Sequence, residues 1–470
     1  MLRFIRLSIA AGVLALSIAP SWATATPEEA AMLGKELTPV GAIRAGTDDG
    51  TIPAWTGPAN FTDEQKHYGV KQIEDLRHNH PQDLEDILKK QAGAAATIAL
   101  FEITKANMTQ YADKLTAGQK AMLQMYPDYK LKIYKSMRTA FFPDAIYKAT
   151  IDNATHAHLE GTDSLKDARL GFPFPIPKTG AEVIWNHKLR FRGSSARRFN
   201  NQAIIQPDGS YAITKLVEDV KFKYATLDGA APLSENVLLY YLSTVVAPPR
   251  MAGQVTLVHE TLDQSEGGRQ AWIFTPGLGR VNRAPDVSYD NPAVGTDNEQ
   301  YNDQIDVFNG ALDRYDWKLI GRKPMYIAYN SYAINSPLIK YKDILKPRHI
   351  NQDLARYELH RVWVVEANVR AGVRHNFAKR VFYVDEDSWA IAAVDCYDAH
   401  GQLWKVQEAH LIAAPFIPTT SGVPEIIYDL QSHRYFTTAM INEDATTDFE
   451  IRYDDSHFSP AELKRNVQGK

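Results

Sequence analysis

The sequence predicts an α+β protein built on one extensive antiparallel sheet, with a helical N-terminal part packed on it. Two observations carry this expectation. After Gly180 the texture becomes period-two alternation in runs of strand length: EVIWNHKLRFRG, SYAITKLVEDVKFKYAT, GQVTLVHETLD and RQAWIFTPGLGRVNRAP, each bounded by Gly, Pro, Asn or Asp. Nowhere among them is there the strand, helix, strand rhythm that builds a parallel sheet.

The elements follow in chain order. Residues 1–25, MLRFIRLSIAAGVLALSIAPSWATA, place Arg3 and Arg6 ahead of an apolar core from Leu7 to Ala19 and end in Ala23-Thr-Ala25. This is the pattern of a cleaved secretory signal whose apolar run is too short to span a bilayer, and it predicts an exported, periplasmic protein. No cysteine follows the cleavage-like site, so no lipid anchor is expected there. Without Arg3 and Arg6, 50 basic residues face 56 acidic ones, a formal charge of −6. Such a balance gives no electrostatic footprint for nucleic acid.

The remaining chain, roughly 445 residues, exceeds the ~250–300 residues at which single cores stop growing. No linker divides it cleanly. The expected organisation is an extended segment with helices over 26–180, followed by a β-rich body over 181–470.

From Thr62 to about Arg138 the pattern is helical. Thr116 and Gln119 form a capping-box pair before AMLQMY, and Pro127 ends that run. Ile87, Leu88, Ala94, Ala95 and Ile98 suggest a second helix that lies on the sheet. The three prolines of GFPFPIPKTG, 171–180, forbid regular structure and separate two textures. Residues 282–350, rich in Asp, Asn, Tyr and Pro, read as an irregular insertion of the kind that serves as lid, binding loop or embellishment. Its aromatic content argues against disorder.

Three further strand runs close the chain: YELHRVWVVEANVR, KRVFYVDEDSWAIAAVDCYD and GQLWKVQEAHLI. In the first, Tyr357, Leu359, Trp363, Val365, Ala367 and Val369 share one face. Glu358, His360, Glu366, Asn368 and Arg370 fall mainly on the other, which is expected to be wet. The apolar face then meets a core or a cavity. Asp385, Glu386 and Asp387 sit in a turn, and Asp398 and Gly401 belong to the next, positions where Asp binds backbone amides and Gly adopts positive φ. Neither turn, nor TDDG at 47–50, has calcium-loop spacing, so no metal is expected.

Short catalytic motifs are absent: no nucleophile elbow, zinc-protease helix, dinucleotide fingerprint or phosphate loop. The protein is expected not to be an enzyme and to need no cofactor. His78, His80, His156, His158, His360 and His375 are the histidines best placed for chemistry, and they read as surface or network residues. His360 or the carboxylates would serve as acid or base in the alternative reading, an envelope hydrolase acting on lipid or polysaccharide. Cys396, the single cysteine, lies in a strand run and reads as a buried thiol. Arg192, Arg197 and Arg198 in FRGSSARRF are candidates to meet a lipid headgroup or an acidic partner, as is the basic GRKP at 321–324.

The runs LTPVGAIRAGTDDGTIPAWTG, EVIWNHKLRFRG, DRYDWKLIGRKPMYIAYNSY and RYELHRVWVVEANVRAGVRHNFAKRVFYVDEDSWAIAAVDCYDAHGQLWKV closely resemble the exported bacterial family known as domain of unknown function 1329. That family is similar to the LolA/LolB superfamily of outer-membrane lipoprotein carriers. The resemblance implies a strongly curved, unclosed antiparallel barrel covered by helices around a greasy cavity. It also implies a carrier of lipid, lipoprotein acyl chains or another hydrophobic molecule, with a transporter of the resistance-nodulation-division (RND) type and an outer-membrane protein as partners. Together with the alternation, it makes Trp363, Val365, Tyr383, Ile391 and Trp404 the candidate cavity residues. The chain departs from the carriers in being more than twice their length and in lacking a lipidated cysteine, so a shared fold does not by itself make lipoproteins its cargo. A ligand-free adaptor, its sheet interior filled by its own side chains, is the remaining alternative.

Overall fold

The computed structural model describes residues 25–57, 68–92, 97–227, 236–264, 266–284, 289–413 and 419–468. Residues 1–24 of the secretory-signal segment, Ala94 and Ala95 lie outside them. The helices are α1 (Pro27–Ala30), α2 (Val70–Asn79), α3 (Pro81–Ala92), α4 (Ala117–Met125), α5 (Asp144–His156), α6 (Gly180–Leu189), α7 (Tyr341–Ile344) and α8 (Pro460–Gln468). None of them is long and apolar enough to cross a membrane.

The strands are β1 (Phe101–Ile103), β2 (Leu131–Tyr134), β3 (His158–Glu160), β4 (Ser164–Lys166), β5 (Ser195–Ile205), β6 (Tyr211–Phe222), β7 (Leu239–Ala247), β8 (Val255–Glu260) and β9 (Gln270–Thr275). They continue with β10 (Arg280–Arg283), β11 (Tyr315–Ala328), β12 (Tyr357–Val369), β13 (Lys379–Asp385), β14 (Ile391–Tyr397), β15 (Leu403–Ala413), β16 (Thr420–Asp429) and β17 (Tyr435–Met440). All but the β3–β4 hairpin join one 15-stranded sheet, ordered β1-β2-β12-β13-β14-β15-β16-β17-β5-β6-β7-β8-β9-β10, with β11 also on β12. Among the described residues no pairing links β10 to β1 or β11, so the sheet stays open. Bulges at Leu319/Gly321, Tyr383/Val384, Ala409/Leu411 and Lys215/Leu216 bend its strands. Among the described strands every pairing is antiparallel except β2 on β12, where Ile133 meets Tyr357.

Four expectations need correction. EVIWNHKLRFRG does not begin with a strand: its first residues form α6, capped by Thr179, whose hydroxyl and the Glu182 carboxylate make a reciprocal box. All ten α6 residues are buried, so the segment shows no polar face and carries no helical periodicity to read. The irregular insertion contains β11, a 14-residue strand whose alternation is interrupted by the bulge at Gly321 and by Pro324. The helical stretch from 62 to 138 contains β1 and β2, and Ile98 is exposed rather than packed. On β12, Glu358 and His360 are buried, not wet, because the chain at 136–138 and 329–332 covers that end.

The capping box of Thr116 and Gln119 does open α4. The Ala117 and Gly118 amides donate to the Asp395 carboxylate on β14 at 3.0 and 2.8 Å, docking the helix N-terminus on the sheet.

Candidate binding cavity

The acidic turn between β13 and β14 is a clasp for the N-terminal segment. Asp385 accepts from the Ser388 amide and hydroxyl at 3.0 and 2.6 Å, an ordinary turn role. Asp387 takes Arg138 through both oxygens, and Glu386 reaches Arg138, Arg322, Arg361 and the Ile43 amide. Arg138 and Arg322 in turn hold the carbonyls of Arg44, Pro53 and Gly41, while Trp389 Nε1 donates to Val40. Arg322, the arginine of GRKP, is thus consumed inside the fold and lies over the Trp363 ring.

His360 stacks on Tyr329 at 4.0 Å and bonds Glu358 at 3.1 Å. Burial pulls its pKa down, but the Glu358 bond and the Asp385 charge outweigh that and leave it raised. Burial, reinforced by Asp387, pushes Asp385 up to about 6 and Glu386 up to about 7. Among the described residues, His360, Asp385 and Asp387 are the one group whose ligand atoms converge closely enough for a metal ion. Both oxygens of Asp387 are already engaged by a guanidinium, so the arrangement fits an ion-pair network better than a cation site. None of these three residues lines the cavity described next.

A cavity of about 260 Å³ opens on one face of β5–β8. Period two selects its lining: Ala196 and Arg198 on β5; Leu216, Val220 and Phe222 on β6; Leu239, Tyr241, Ser243 and Val245 on β7; Thr256, Val258 and Glu260 on β8. The Asp/Asn/Tyr-rich segment covers it with Ala293, Ile305 and Phe308, and α3 adds Leu84 and Leu88. Near 306–310 the wall turns charged. Arg190 and Arg192 both reach the Asp306 carboxylate, and Arg198 Nε donates to Glu218 at 2.7 Å. Burial pulls the Arg192 guanidinium down to about 10 against the pull of Asp306. Asp306 and Val307 hold positive φ, which costs each about 1–3 kcal/mol and needs support. Support comes from Glu425, which accepts the Val307 amide at 3.1 Å, and from Gln407 Nε2, which donates to the Val307 carbonyl at 3.0 Å.

The residues expected to line a cavity lie elsewhere. Trp363 is stacked on Trp389, Val365 packs against Gly180 of α6, and Ile391 is buried beside His187 of that helix. Tyr383 bonds Asp395 at 3.0 Å, and Trp404 bonds Asp429 at 3.1 Å. Helix α6 belongs to the large core into which all five pack, so that part of the sheet is filled. Of the three arginines, Arg192 and Arg198 line the cavity, whereas Arg197 alternates to the other face and pairs with Asp219. His78 and His156 are exposed at helix ends, and His375 is buried between Asp303 and Arg380. The Cys396 thiol is buried, and burial pushes it up to about 12. Cavity residues such as Val258 and Phe308 had no signal of their own, because alternation looks the same over a core and over a void.

An open antiparallel sheet that packs β12–β15 against a buried helix and walls a cavity with β5–β8 defines the architecture. The chain belongs to the DUF1329 family, "Protein of unknown function (DUF1329)", whose pattern matches residues 102–464. It is 44% identical over 459 residues, 97% of each chain, to the uncharacterized protein PA3922 of Pseudomonas aeruginosa. Among solved structures it is similar to a domain from Vibrio parahaemolyticus described as a candidate outer membrane lipoprotein-sorting protein, at 14% identity and TM-score 0.42, over 61% of this chain and 98% of that one. A DUF1329 family protein from Desulfovibrio piger aligns at 14% identity and TM-score 0.40, over 58% and 92%. A LolA superfamily protein from Nitrosomonas europaea aligns at 14% identity and TM-score 0.36, over 60% and 98%.

Proposed function

We propose that the protein is a periplasmic carrier that holds a hydrophobic molecule, a lipid or an acyl chain, in the hollow half of its sheet during transport across the envelope. The observation that carries this reading is the cavity itself: a void walled by Leu216, Val220, Phe222, Leu239, Val245 and Val258 with its own cover. Burying one CH2 contributes about 0.8 kcal/mol, so a chain of ten methylenes is retained without a specific polar contact. An RND-type transporter and an outer-membrane protein are the partners this role calls for. The test is organic extraction of protein purified from its native periplasm, followed by mass spectrometry. A stoichiometric hydrophobic molecule supports carriage. A clean extract together with no uptake of a fluorescent fatty acid overturns it.

A further inference from the structure

At the charged end of the cavity, two guanidiniums share one carboxylate and a buried ammonium has no directly paired carboxylate among the described residues. Lys188 Nζ donates to the Gly310 carbonyl at 2.8 Å and lies over the Trp185 ring, and among the described residues it makes no ion pair. Arg190 and Arg192 share the single carboxylate of Asp306, and the Nε of each is buried without a hydrogen-bond partner. Arg198 is held by Glu218, and Arg269 by Glu260. Lys188, Arg190, Arg192, Arg198 and Arg269 thus stand with three directly paired carboxylates, Asp306, Glu218 and Glu260, while Asp163 and Asp313 act on Lys188 from farther off. A further carboxyl, Glu425, faces Asp306, Arg190 and Arg198, but burial and the Asp306 charge push it up to about 8, so it is largely protonated at neutral pH. Buried cations are costly unless an anion meets them. The chain as a whole has net formal charge −4, so this positive end is local.

Apolar wall begins directly beside these groups, with Arg192 lying 4.7 Å over the Phe222 ring. The cavity, about 260 Å³, is slightly smaller than most small-molecule sites, which span ~300–1,000 Å³. That is room for one chain rather than several.

We infer that this end of the cavity is the binding site for the anionic head of a single-chain amphiphile: Lys188 and Arg192 receive the head, and the apolar face of β6–β8 receives the chain. The inference rests on the carrier reading of the same cavity. The head is a carboxylate or a phosphate, and the two share the chemistry of accepting charged N–H donors.

The test uses the full mature chain, fluorescent 11-(dansylamino)undecanoic acid and the methyl ester of that acid. The acid binds about 10- to 100-fold more tightly than the ester. Lys188→Met and Arg192→Met each remove most of that preference and leave the ester's affinity unchanged, which also shows that the variants fold; Lys188→Arg keeps the preference. Displacement of the probe by a single-chain lysophosphatidic acid more readily than by a fatty acid supports the site with phosphate as its head. Equal binding of acid and ester overturns the inference while leaving carriage intact. Binding of neither probe overturns both. Displacement by acetate or inorganic phosphate at the same concentrations as the acid assigns the site to a free anion and overturns the amphiphile.

Discussion

Asp387 grips Arg138 through both carboxylate oxygens, 2.8 Å from Nε and 2.6 Å from Nη2, with each side chain almost fully buried. Removing one partner of such a pair leaves a buried charge uncompensated, at a cost of about 3–5 kcal/mol. Arg138→Met is therefore expected to lower stability by that amount, read as the urea midpoint. It also frees the carbonyls of Arg44 and Pro53, so limited proteolysis should cut within 25–57 before the rest of the chain. An unchanged cleavage order would show that the N-terminal segment does not depend on the clasp.

Val258→Trp places a large ring into the void over β8. Fluorescent fatty-acid uptake is expected to fall more than tenfold while the melting temperature holds. Ile391→Ala, in the filled half, is expected to do the reverse: a loss of about 2–5 kcal/mol with binding per folded molecule retained. Titration and thermal melting of both variants separate hollow from core.

Gly41 has φ +91°, and a Cβ built there would lie 1.8 Å from the Pro175 carbonyl oxygen. Left-handed strain of about 1–3 kcal/mol and a backbone clash then act together. Gly41→Ala is expected to lose about 2–5 kcal/mol in chemical unfolding, more than Gly50→Ala, where φ is also positive but no atom lies near.

Glu425 has its folded pKa raised to about 8 from 4.5, by burial first and then by Asp306, with Arg198 and Arg190 opposing. A raised carboxyl pKa means the folded state holds the proton more tightly than the unfolded one. Its contribution is complete below about pH 4.5 and is lost as pH rises towards 8. Relative to Glu425→Gln, the wild-type protein should lose stability across this window, with a slope of at most ~1.4 kcal/mol per pH unit. Parallel curves from pH 5 to 8 would remove Glu425 from the cavity's titration.

Legibility followed the source of each signal. Strands β12 to β15 could be read because alternation and turn chemistry agree there: Asp398 binds the His400 and Gln402 amides, and Gly401 has φ +74°. Helix α4 could be read from Thr116 and Gln119. Helix α6 could not, since burial on every side erases the polar stripe, although Thr179 and Glu182 carried its capping box in plain view. β11 was hidden by Gly321 and Pro324. For the site, Arg192 and Arg198 stood out as clustered charge. Leu216, Val220 and Val258 did not, because a strand face cannot encode what lies opposite it. Which half of the sheet is hollow depends on where α6 packs, a tertiary fact.

Among the described residues the sheet's two arms pair only where β17 meets β5, and there Tyr435 meets Ile205, about half the chain away. The strands β5 to β10 are successive neighbours and zip from local hairpins, whereas their attachment to the rest awaits residues near the C-terminus. Until β17 arrives, the outer edge of β5 has no partner strand among those described. A long bare edge is a template for pairing with a second molecule. In SARRFNNQAII the exposed Arg197, the half-buried Arg198 and the two asparagines that follow Phe199 make that edge a poor template for a like chain. Charge on β5 is therefore expected to disfavour pairing with a second copy for as long as β17 has not yet covered that edge.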